Sequence, residues 1–285
     1  MNLSGRIRSY FHELSSEEVT RRINIFLLIF FVLTMPLVIY LKNSEYGYTK
    51  TIYMYVVISF ILLIYALQIV ISQKTKISLT KLSYAILLVI IAGLISIVNA
   101  YNTGVAIQSL AVFSYFVLFY LLVANTVKKR WELSALLTAA LLAAFGALLY
   151  GFFQYYGLAT GGEGAGSSTM ISTLGNKNYL GGFISYLFFP GLALYITSKS
   201  KTIKIVTGII LLSIFVTLFP IGARGAWLGL IIGGLLFVGG IFLYRTFDIL
   251  TENKVWLLAL VGILIISFLT VAAPGPWNSL LSLSA

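Results

Sequence analysis

The stretch "TIKIVTGIILLSIFVTLFPIGARGAWLGLIIGGLLFVGGIFLY", residues 202–244, decides the fold. Two apolar runs, near 203–221 and 225–244, are separated by a few residues around Gly222 and Arg224. A helix of about 20 residues crosses roughly 30 Å of hydrocarbon, and each run has that length. Neither run alternates with period two, and both are too long for a barrel strand. The pair therefore reads as two membrane helices joined by a very short connection. Arg224 stands in that connection, and an arginine beside hydrocarbon needs a route to water or an anionic partner.

The pattern recurs along the whole chain. Hydrophobic residues make up 60% of the 285 and charged residues only 9%, with a mean hydropathy of +1.00. A soluble domain could not cover that surface with polar groups. Nine apolar runs are long enough to span, near 23–41, 51–72, 82–100, 104–124, 133–158, 179–197, 203–221, 225–244 and 255–273. The expected fold class is all-α, a polytopic membrane bundle of about nine helices. Pro36, Pro190 and Pro220 mark expected kinks or helix ends. With the N-terminus in the cytoplasm, fifteen of the 19 Lys and Arg residues fall on the inner side. Only Lys42, Lys50, Lys177 and Arg224 fall outside, so the positive-inside rule gives an N-in, C-out arrangement. The chain then divides into a cytoplasmic segment, 1–22, a transmembrane helical domain, 23–273, and an external tail, 274–285. The net charge of +11 follows from this topology and does not call for nucleic acid. Ser15 and Glu18 form a capping-box pattern that opens a helix leading into the first run.

Chemistry-bearing residues are few. There is no cysteine, and His12 is the only histidine. No Asp or Glu lies inside a run, which argues against a carboxylate proton relay. No P-loop, dinucleotide fingerprint, zinc motif or Ser/His/Asp set is present, and no metal or cofactor is implied. Arg224 reads either as an interfacial anchor beside Trp227 or as an anion site at a helix start. Gly222 and Gly225 leave the backbone open to close approach, which an anchor does not require. In residues 159–183, a Gly/Ser/Thr-rich half is followed by Asn176, Lys177 and Asn178, directly before the sixth run. These residues read as helix caps after a turn at Gly175, or as a polar cluster for sugar hydroxyls or phosphate. Glu163 is the one acidic group of that loop. Asn99, Asn102 and Gln108 are candidates for bonds between helices. The run "YGFFQYYG", 150–157, reads as an aromatic belt or a sugar-stacking surface.

Two segments, "STLGNKNYLGGF" (172–183) and "GARGAWLGL" (222–230), carry a resemblance to the O-antigen ligase and O-antigen polymerase superfamily. Members show a G-T-L-G-N-x-N stretch leading into one helix and an S-R-G-A-W-L stretch two helices later. Order and spacing match, and Ala223 replaces the usual Ser. The resemblance implies a metal-independent glycosyltransferase of the bacterial cytoplasmic membrane. Such an enzyme moves a glycan from an undecaprenyl-diphosphate carrier to a hydroxyl of an acceptor glycan, lipid or protein in cell-envelope polysaccharide biosynthesis. Arg224 would then bind the diphosphate, with Asn176, Lys177, Asn178 and Gly225 as possible members of the same pocket. The family's large external loop, with a second arginine and a histidine that activates the acceptor, has no counterpart here. The expectation is a donor-side portion without a general base and inactive on its own. The competing readings are a small-anion transporter of the bicarbonate type and a non-catalytic partner subunit.

Overall fold

The computed structural model describes residues 16–40, 46–72, 77–158, 170–245 and 247–272. Among these residues the chain is all-helical. Helices α1 (Ser16–Thr34), α2 (Tyr46–Ser72), α3 (Lys81–Ile97), α4 (Thr103–Thr126) and α5 (Arg130–Tyr155) come first. A short 3-10 turn, Ser172–Leu174, precedes α6 (Lys177–Thr197), α7 (Lys201–Ile221), α8 (Arg224–Tyr244), α9 (Phe247–Glu252) and α10 (Lys254–Ala272). His12, Glu163 and the 274–285 tail lie outside the described residues.

The sequence suggests nine crossings, and among the described residues six helices are long and apolar enough for one: α2, α4, α5, α6, α7 and α8. The other three runs also contain helices, α3 of 17 residues and α1 and α10 of 19 each. In α1 the first turns carry Glu17, Glu18, Arg21 and Arg22, and the helix stops at Thr34 rather than continuing to 41. Pro36 explains the stop, because proline has no N–H to donate and disfavours helical backbone before it. The Lys50 ammonium donates to the Pro36 and Val38 carbonyls at 2.9 and 2.5 Å. Pro190 and Pro220, by contrast, stay inside α6 and α7. At the start of α1, Ser15 lies outside the described residues, and Glu18 is engaged by Arg21 and Arg22 at 3.0 and 3.2 Å.

The described residues form two compact units. The first takes those within 1–31 and 51–133. Its interior is polar at one level: Arg21 donates to Glu132 at 2.8 Å, and the Asn24 amide donates to Gln68 at 3.0 Å. Above them Phe31 stacks on Tyr53 and tilts against Phe119. Asn102 caps its own helix, accepting from the Val105 amide at 3.1 Å, and so does not bridge helices. Asn99 and Gln108 are exposed, and their side chains make no hydrogen bond among the described residues.

The second unit takes the described residues within 32–50 and 134–285. Its core joins α5, α6 and α7 through Leu141, Leu148, Leu180, Ile184, Leu211, Ile214 and Leu218, all close to fully buried, with Ala226 of α8 against them. In this core α6 packs along both α7 and α8. The first and third members of that trio run in the same direction, so their N-termini share one end.

Candidate functional site

Two helix starts come together at that end. Gly175 adopts a left-handed conformation (φ 72°), closing the 3-10 turn. Asn176 then caps α6, its side-chain carbonyl accepting from the Asn178 amide at 2.8 Å. Asn176 therefore caps the helix, as its sequence position allows, and its side-chain NH2 remains to offer a ligand. Lys177 is the first residue of α6, and Asn178 beside it is exposed.

The second start repeats the design without a side-chain cap. Gly222, at φ 62°, ends α7 and accommodates the left-handed turn. Ala223 occupies the N-cap position of α8, where an alanine has no oxygen to offer. A serine at that position would supply a cap of about 1 kcal/mol. Arg224 is the first residue of α8 and is exposed, as is Gly225. Trp227, in contrast, is tied edge-on to Phe219 and Phe215, with centroids 5.0 and 5.8 Å away, and packs against the core.

Gly181 holds the two starts together. A Cβ there would lie 2.9 Å from the Ala223 Cβ and 3.0 Å from the Ala226 Cβ, so α8 approaches the α6 backbone directly. The Ser185 hydroxyl binds its own helix at the Gly181 carbonyl (2.7 Å) and reaches the Ala226 carbonyl at 3.3 Å. Both motif segments thus meet across one glycine contact. At Gly225 there is open space instead, with nothing within 4 Å of a would-be Cβ.

The electrostatics of this end are one-sided. A helix N-terminus carries roughly half a positive charge, so a cation there is unfavourable by about 0.3–1 kcal/mol. Lys177 and Arg224 each place a cation at such a start. Neither has an ion pair or hydrogen bond from its side chain among the described residues. Among the described residues, no group of three or more His, Cys, Asp or Glu is placed to hold a metal. At the far end of α6 and α8 lies an apolar groove of about 440 Å³, lined by Ala193, Leu236, Phe237, Gly240, Tyr244 and Leu250.

Several polar groups of this unit carried no signal strong enough to single them out in sequence. Lys50 reads there as one more loop charge, yet it is only 8% exposed. Thr173 donates to the same Pro36 carbonyl at 2.8 Å, and Ser172 donates to the Ala147 carbonyl. In the 150–157 run, Phe152, Phe153 and Tyr156 are exposed in the manner of a belt, whereas Gln154 faces inward. A glutamine among aromatics at a span end was the available signal for an inward polar group.

No protein-family model, curated protein or solved structure matches the chain. The fold itself defines a multi-pass helical membrane protein.

Proposed function

We propose that the paired starts of α6 and α8 bind the diphosphate of a polyprenyl-linked glycan at the outer face of a bacterial cytoplasmic membrane. The protein would act on the donor side of an O-antigen ligase or polymerase type of glycan transfer. One observation carries the reading: two cations, Lys177 and Arg224, stand without an ion pair among the described residues at two positive helix ends that Gly181 holds together. Such a breach of local electrostatic preference calls for an anion to offset it. A guanidinium can grip two phosphate oxygens at once, and the backbone N–H groups of a helix start add further donors. Gly225 leaves room for a phosphate to approach the backbone. The apolar groove farther along the same two helices suits part of an isoprenoid tail. The orientation, with residues 170–177 outside, comes from the charge distribution along the chain.

The test is binding of undecaprenyl diphosphate by the purified chain in nanodiscs. A charge-assisted contact contributes about 1.5–3 kcal/mol, so Arg224→Ala should weaken binding roughly ten- to a hundredfold. Arg224→Lys should recover only part of it, because lysine offers a point charge in place of a planar fork. Unchanged affinity in Arg224→Ala would end this reading and leave the arginine as an interfacial anchor.

A further inference from the structure

Helix α5 presents a second polar feature near its C-terminal end. Its Ala147 carbonyl takes the Ser172 hydroxyl, and a Cβ on Gly151 would sit 2.9 Å from Ser172 Cβ and 2.8 Å from Met170 Cγ. This face of the helix is therefore closed by residues 170–172. Three and seven positions after Ala147, Tyr150 and Gln154 lie on the same face. Gln154 is 1% exposed, and neither its amide nitrogen nor its amide oxygen has a hydrogen-bond partner among the described residues. The Tyr150 hydroxyl is buried and unpartnered as well. A polar layer continues behind them, where Thr173 and Lys50 share the Pro36 carbonyl.

A buried polar atom left unpaired is destabilising, and a whole amide left so is unusual in a folded chain. We propose that Tyr150 and Gln154 form a buried site for a hydroxyl group. The donor and acceptor inventory selects that chemistry. The Gln154 NH2 needs an acceptor and its carbonyl needs a donor, while the tyrosine hydroxyl can serve as either. A metal ion would satisfy only the oxygens, and a fully ionised anion only the donors. A hydroxyl oxygen does both at once, and it can belong to an internal water or to a sugar. The site stands independently of the diphosphate reading, since neither Arg224 nor Lys177 takes part in it.

The experiment uses the full chain in nanodiscs with two near-isosteric variants. Tyr150→Phe removes one oxygen, and Gln154→Met replaces the amide at similar length. Thermal unfolding is followed with no sugar and with glucose or N-acetylglucosamine added. If the guest is water, both variants melt below wild type, by about 2–4 °C for each hydrogen bond's worth of stability lost. If the guest is a sugar hydroxyl, one of the sugars raises the wild-type Tm and leaves both variants unmoved. Variants at least as stable as wild type, with no sugar effect on any of the three, would overturn the proposal. An unpaired polar atom gains from replacement by an apolar isostere, whereas a bound guest would be lost.

Discussion

Glu132 is fully buried at the start of α5 and satisfied from three directions. It accepts from the Lys128 and Lys129 amides at 2.8 and 3.0 Å, and from the Arg21 guanidinium at 2.8 Å. Removing one partner of a buried pair strands the other charge, at a cost of about 3–5 kcal/mol. Glu132→Ala should fall near the lower figure, because Glu18 still holds Arg21, and thermal unfolding of the purified variant would report it. Glu18 itself is a pH-sensitive group. The Arg21 hydrogen bond, and then that of Arg22, hold its carboxyl down from the ordinary 4.5 to about 2. A depressed folded-state pKa means that this contribution is complete above about pH 4.5 and is lost as the pH falls towards 2. The Tm should decline over that window, and Glu18→Gln should flatten the decline. A variant that kept the full wild-type acid dependence would exclude Glu18 as its source. Sequence could place Glu132 at a span boundary. It could not show a partner 111 residues away on another helix.

At the level of helices, two glycines in the motif segments have opposite roles. Gly181 has no room for a methyl group between Ala223 and Ala226, and Gly225 has nothing around it. Gly181→Ala should therefore push α8 off α6, lowering stability by about 1–3 kcal/mol through overpacking. Gly225→Ala should fold normally and, by blocking backbone approach, weaken undecaprenyl diphosphate binding. Equal unfolding temperatures for the two variants would contradict the close contact at Gly181. The individual helices are legible in sequence, since apolar runs, Asn176 as a cap and glycine at the turns all follow from local chemistry. The meeting of the α6 and α8 starts is not, because α7 intervenes in the chain and packing decides which faces touch. The early end of α1 was signalled by Pro36, although hydropathy carried the expected span past it.

For the molecule as a whole, the charge bias predicts which connections face the cytoplasm. The chain has no cysteine, so single cysteines can be introduced without background. A cysteine at Asn178 should react with a membrane-impermeant reagent in intact cells, and one at Lys129 only after permeabilisation. Reversed labelling would invert the topology and move the Arg224 end inside. Apolar length counted nine crossings, and among the described residues six helices have the full measure. A run can be apolar throughout and still be cut short, as α1 is by a proline.

The return of residues 32–50 to the second unit has a bearing on synthesis. Lys50 can reach the Pro36 carbonyl as soon as both have left the ribosome, but Thr173 emerges 137 residues after that carbonyl. At roughly 5–20 residues per second, the wait is about 7–27 seconds. Throughout that interval the Pro36 carbonyl has the lysine but not yet the threonine. A chaperone or insertase that shelters polar backbone near the membrane would have this early segment as its client until the later helices arrive.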